Sequence, residues 1–201
     1  MTIMGRPARI LQHQFPYSIT TRCNNKEFHL RKKDAYAIFA SIFDRLKKKT
    51  KSKEDPTPKY VFEVHHLTVM SNHYHLVVSV SAETPIHRFM QLVNSLVARM
   101  LNQRLGRQGH LWEDRFKSRI LHSLDYLKRT IAYVYHNPLK AEMTSEILDY
   151  ARSTLRFYWR RTLPSWLSPD PFLNEIPPEG WKTVLEELVL NSFDPAFNLA
   201  A

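Results

Sequence analysis

The chain has 201 residues, a formal net charge of +10 and 43% hydrophobic residues, enough for one globular domain with a real core. A single cysteine, Cys23, excludes an intrachain disulfide and a cysteine zinc cluster. Four glycines, none suitably spaced, exclude a P-loop and a dinucleotide-binding turn, and no apolar run reaches the length of a membrane span. With no apolar signal segment at the N-terminus, a cytoplasmic location is the expectation.

The basic excess favours a polyanion partner, nucleic acid ahead of a membrane surface. It is unevenly spread. Residues 162–201 carry one lysine and six acids, so residues 1–161 carry +15.

In chain order, Gln14 to Thr21 is a plausible first strand despite Pro16. Asp34 to Lys48 has a helical apolar stripe at Ala35, Ile38, Phe39, Ile42, Phe43 and Leu46. It runs into a lysine-rich stretch to Lys53, and Glu54 to Pro58 reads as a loop. Tyr60 to Val69 and His73 to Val80 read as a β-hairpin around the turn formers Ser71 and Asn72. Thr84 is the expected N-cap of a helix with Pro85 at its first position, ended by Gly106 and Gly109. Lys117 to Leu121 suits a short strand. Ser123 is an expected N-cap for a helix that Pro138 ends nearby. Residues 140–161 are expected to be helical, the proline-rich 164–178 irregular, and Trp181 to Leu190 a last short helix. One hairpin without strict βαβ alternation favours an α+β fold: an antiparallel sheet with helices on one face.

Two segments carry chemistry. In Met70-Ser71-Asn72-His73-Tyr74-His75-Leu76, strand alternation puts His73 and His75 on one face, roughly 7 Å apart along the strand, within reach of one metal ion. Tyr74, Leu76, Val78 and Val80 form the opposite, core face. In a chain with ten histidines, H-x-H also arises readily by chance. Adjacent His65 and His66 should point to opposite faces, with no role assigned.

The second segment is Tyr133-Val134-Tyr135-His136-Asn137-Pro138. On a helix starting after Ser123, Leu124, Leu127, Ile131, Val134 and Tyr135 form the apolar side. At about 100° per residue, Tyr133 lies roughly 180° from Leu124 and Tyr135 roughly 20° from it. Tyr135 is therefore the core tyrosine and Tyr133 lies off the stripe, with Asn137 one turn on along the same face. A phenol beside an amide can be a catalytic pair, or a half-exposed tyrosine above a C-capping asparagine.

Both segments resemble the single-tyrosine HUH transposases, including REP-associated tyrosine transposases and related insertion-sequence enzymes. Residues 70–76 are similar to the family's M-P-N-H-x-H-L, with Ser71 replacing proline. Tyr133 to Ala141 resembles Y-[IV]-x-x-N-P-[VL]-[RK]-A, whose first tyrosine is the nucleophile, and Gly109 to Phe116 resembles G-x-x-W-x-x-R-F. The resemblance spans about residues 14–141. It implies an HUH transposase domain over 1–141 with a ferredoxin-like sheet carrying His73 and His75, faced by the helix that carries Tyr133. Residues 142–201 form an extension, helical and then proline-rich and acidic.

The resemblance further implies Mg²⁺ or Mn²⁺ held by His73, His75 and Asn137, and a catalytic Tyr133 that cleaves and rejoins single-stranded hairpin DNA through a 5′-phosphotyrosine. The partner is single-stranded or hairpin DNA, with no membrane and no nucleotide cofactor, and the protein acts as monomer or homodimer. Candidate DNA contacts are Lys47, Lys48, Lys49, Lys51, Lys53, Arg99, Arg104, Arg107, Arg115, Lys117, Arg160 and Arg161, since single strands need cations and aromatic platforms. The proton acceptor for the phenol is open. The competing readings are a catalytically silent hairpin-DNA-binding protein and an RNA-binding module.

Overall fold

Four strands form the centre of the molecule: β1 (Tyr17–Arg22), β2 (Phe62–Val69), β3 (His73–Val80) and β4 (Lys117–Ile120). They make one antiparallel sheet in the order β2-β3-β1-β4. A computed structural model describes residues 12–32, 34–51 and 60–191. The expected loop at 54–58 and Lys53 lie outside them, and of Lys51 only the backbone is described. β1 begins after Pro16, whose missing N–H suits a strand margin. β2 and β3 join through the expected tight turn, with Met70 N–H donating to His73 O at 2.8 Å.

Helices α1 (Ala35–Lys51) and α2 (Ile86–Leu105) cover the sheet face that carries Tyr74, Leu76, Val78 and Val80. Phe39 of α1 meets Tyr74 at 4.7 Å between ring centroids, and Phe62 of β2 meets Phe89 of α2 at 4.6 Å. The βαββαβ order with two helices on this face is the expected ferredoxin-like α+β arrangement. Gly106 ends α2 in the left-handed conformation, as expected. Thr84 is not its cap: the Thr84 hydroxyl accepts from Val61 N–H, and Pro85 takes the N-cap position.

Helix α3 (Leu124–Lys140) crosses the opposite face, over the histidines. Ser123 caps it by accepting from Tyr126 N–H, and Pro138 sits in its last turn. The wheel reading fails in one respect. Leu124 is 54% exposed, while from Thr130 to His136 every residue of α3 is buried. The cause is that the helix is covered twice, by the sheet and by the C-terminal segment, where His136 Nε2 bonds Val189 O.

Residues 141–154 are turns instead of the expected helix; only α4 (Leu155–Trp159) is helical. The end of this segment bonds the edge of β2. Val69 N–H donates to Arg152 O and Thr154 N–H to Leu67 O, both at 2.9 Å, and further along Ser168 N–H donates to Val64 O at 2.8 Å. The outer edge of β2 is thereby closed, which removes a template for strand addition. Beyond it come the short α5 (Pro171–Asn174), capped by Asp170, and α6 (Trp181–Leu185), which passes into a π-turn over Glu186–Asn191. Among the described residues no helix is long and apolar enough to cross a membrane.

Candidate active site

His73 and His75 stand at the start of β3, and Arg22 and Thr20 of β1 lie directly across from them. Paired antiparallel residues share a sheet face, so all four point toward α3. From α3, Tyr133 and Asn137 descend one turn apart. These six, with Glu113, Asp114, Arg115 and Lys117, line one pocket of about 300 Å³. The two imidazole centroids are 5.0 Å apart, and the His75 and Tyr133 rings meet edge-on at 5.6 Å. Tyr133 is 8% exposed, so it forms a pocket wall instead of the half-exposed helix face that its sequence position suggests. All of these residues belong to one chain.

Hydrogen bonds set the state of each ring. Asn72 Nδ2 donates to Lys26 O at 3.0 Å, which turns its Oδ1 toward His73 Nδ1 at 2.8 Å. Nδ1 is therefore the protonated nitrogen of His73, leaving a lone pair on Nε2. His75 Nδ1 lies 3.1 Å from Thr20 Oγ1, and its Nε2 is buried with no hydrogen-bond partner. Burial, reinforced by the Arg22 guanidinium, pushes His73 down to about 4. Burial, then His73 and Arg22, holds His75 well below its ordinary value. Both rings are neutral at pH 7, the form that binds a metal.

The donor set fits a hard divalent cation. Two neutral imidazoles aim at the pocket, one with an orphaned nitrogen, and the Asn137 amide donates through Nδ2 to Tyr133 O at 2.8 Å, leaving Oδ1 available. Among the described residues no three His, Cys, Asp or Glu side chains cluster as a metal site.

The sequence-derived cations fall into four groups. Arg115 and Lys117 line the pocket. Arg104 pairs with Asp34 at 2.9 Å, Arg107 donates to Asn102 Oδ1 at 2.8 Å, and Arg99 is exposed on α2, away from the site. Lys47, Lys48 and Lys49 occupy the far end of α1: Lys47 lines a separate pocket with Phe62 and Val80, at the opposite end of the sheet from His73, and donates to Ser168 Oγ. Lys48 pairs with Asp44 at 2.7 Å. Arg160 and Arg161 are exposed after α4.

Arg22, Thr20 and Asn72 are site residues that sequence reading missed. Asn72 read only as a turn former, although it immediately precedes His73. Thr20 and Arg22 become visible only through the pairing of β1 with β3.

His65 and His66 also differ from expectation. A bulge between Val64 and His66 inserts one extra residue. Both rings then face the α3 side, where His65 Nε2 meets Ser79 Oγ at 2.8 Å and His66 lies between Tyr135 Oη at 2.5 Å and Asp170 Oδ2 at 2.7 Å.

Fold and pocket together define a small α+β protein of the HUH single-tyrosine class. Residues 12–137 match the model of the IS200-like transposases, which spans more than half of the chain, and the chain belongs to this transposase family. Among solved structures, a REP-associated tyrosine transposase bound to a REP hairpin is similar over 83% of this chain and 93% of that one, with 17% identity and a TM-score of 0.58. At that identity the likeness concerns the fold. A chain from Deinococcus radiodurans R1, provisionally assigned as a transposase, is 14% identical over 71% of this chain and 94% of that one; its TM-score of 0.42 carries no argument. No curated protein gives a significant match.

Proposed function

We propose that this transposase cleaves and rejoins single-stranded DNA next to a hairpin, with Tyr133 as nucleophile. The observation that carries the reading is the edge-on meeting of Tyr133 and His75 in a pocket shared with His73 and Asn137. The Tyr133 phenolic oxygen attacks the scissile phosphorus, the bond to the 3′ oxygen breaks, and a 5′-phosphotyrosine and a free 3′-OH result. The phenolic proton leaves to a base, and the 3′ oxygen takes up a proton. Glu113 and Asp114 are the carboxylates lining the pocket. One phosphodiester replaces another, so religation needs no nucleotide cofactor.

His73, His75 and Asn137 would hold Mg²⁺ or Mn²⁺, oxygen and imidazole donors suiting both. When bound there, such an ion supplies charge neutralisation at the phosphate. Arg22, Arg115 and Lys117 add fixed positive charge around the same pocket and draw in the DNA backbone. The DNA-bound state of the REP-associated structural neighbour supports hairpin DNA as the partner here.

The test is incubation of labelled single-stranded hairpin DNA with the protein and Mn²⁺, followed by denaturing electrophoresis. A covalent adduct that disappears in Tyr133→Phe is expected. Binding without an adduct would instead identify a silent hairpin-binding protein, and preference for RNA would remove the DNA reading altogether.

A further inference from the structure

Between β1 and α1 the chain crosses the site end of the sheet through residues 23–32, and this crossing is held in place residue by residue. Cys23 N–H donates to Asn72 O at 2.7 Å, Asn24 N–H to Leu111 O at 2.9 Å, and Leu30 N–H to Ser71 O at 2.9 Å. The Asn72 side chain bonds Lys26 O while its other atom holds His73. Asn25 and Lys26 adopt φ of 51° and 57°, the left-handed region, unusual for lysine. Such conformations persist where the surroundings over-determine them, and they gather at binding sites.

This clamped loop holds Phe28 out in solvent. At 63% exposure it is the most exposed large apolar side chain among the described residues. Around it in sequence stand the exposed cations Lys26, Arg31 and Lys32. The one acid of the loop is Glu27, so the three cations outnumber it. A lone aromatic among cations is a poor surface for a protein partner, which needs a contiguous apolar patch. It is what an unpaired nucleotide needs: a flat face for the base and positive charge for the adjoining phosphates. The loop also leads directly from Arg22, a wall of the pocket.

We infer that residues 24–32 dock an unpaired nucleotide of the DNA strand entering the pocket. Phe28 stacks on its base, and Lys26, Arg31 and Lys32 hold the neighbouring phosphates. The rigid backbone means that little loop entropy is lost on binding. The assignment rests on the single-stranded DNA reading above and adds to it the element that grips the strand beside the hairpin.

The test compares wild type, Phe28→Ala and Phe28→Trp, without divalent ions, on two fluorescein-labelled hairpins. One carries unpaired flanks with 2-aminopurine inserted; the other is blunt. Phe28→Ala should bind the flanked hairpin about tenfold more weakly, within the range of one lost stacking contact. It should also abolish the 2-aminopurine stacking signal and leave blunt-hairpin binding unchanged, and Phe28→Trp should restore both lost properties. Equal affinity of Phe28→Ala and wild type for the flanked hairpin, or an equal loss on both hairpins, overturns the assignment while leaving the parent reading intact. Wild type that binds neither DNA overturns both.

Discussion

Two histidine pairs lie side by side on the same sheet face, and they have opposite characters. In the pair of β2, every ring nitrogen has a partner: His65 bonds Ser168 O and Ser79 Oγ, and His66 bonds Tyr135 Oη and Asp170 Oδ2. In the pair of β3, each ring is gripped through Nδ1 alone, and His75 keeps a buried Nε2 with nothing to bond. Buried polar atoms are mostly satisfied, and this bare nitrogen belongs to a ring that lines the pocket. The tyrosines of α3 differ in where they face. Tyr135 is absorbed into the interior network with Thr154, while two residues earlier Tyr133 faces the pocket. Residue type does not distinguish scaffold from site here; position on the pocket wall does.

Substitutions can break this contrast. His75→Ala should reduce the covalent DNA adduct, counted per folded molecule, below detection; it also gives up the Nδ1 contact with Thr20 Oγ1, so its melting temperature falls as well. An adduct that survives would make the β3 pair structural as well. His66→Ala should act on stability alone. It strands the buried Asp170 carboxylate, whose pKa burial would raise but the His66 bond and charge hold low. Removing one partner of such a buried pair costs about 3–5 kcal/mol. Thermal unfolding should show a loss of that size, with adduct formation per folded molecule retained.

Acid sharpens the comparison next. Burial pushes His65 down to about 4 despite the nearby Asp170 charge. The folded ring stays neutral while the unfolded ring takes a proton below its ordinary value near 6.5. The unfolded state then binds more protons, so the stability His65 gives is complete above pH 6.5 and falls as pH drops toward 4. Melting curves from pH 7 to 4.5 should follow that slope by about a few kcal/mol, and His65→Gln should lessen it while His73 and His75, depressed by burial in the same way, keep the remainder. The smallest effect is expected from Asn72→Ala, which frees the His73 ring. Loss of such an orienting partner typically lowers metal affinity about 10- to 100-fold. Mn²⁺ titration calorimetry with an unchanged melting temperature would fit this; unchanged Mn²⁺ affinity would deny Asn72 the role.

Much of the fold was readable because its signals are local. Strand β3, the Ser71-Asn72 turn, the Gly106 stop and the Ser123 cap each depend on a few neighbouring residues. The alternation that put His73 and His75 on one face needed nothing from elsewhere in the chain. What escaped was set by distant partners. At the end of the 141–154 segment Arg152 and Thr154 bond β2 in place of a helix, and Thr84 lost its cap role to Val61 N–H. The bulge that turns His65 and His66 to one side leaves no mark in the sequence, nor does the pairing that brings Arg22 opposite His73. Tyr133 was placed off the apolar stripe of α3, yet it is buried among core residues because the sheet beneath covers that side of the helix too.

The covering of the β2 edge has a consequence for how the molecule is made. Leu67 and Thr154, which bond across that edge, are 87 residues apart. At translation speeds of about 5–20 residues per second, the strand waits on the ribosome for roughly 4 to 17 seconds before its cover exists. During that interval a nascent chain presents a bare row of amide and carbonyl groups to its polysome neighbours. Damage around Arg152 to Ser168 would therefore show first as lost yield during expression, before any defect in the finished molecule.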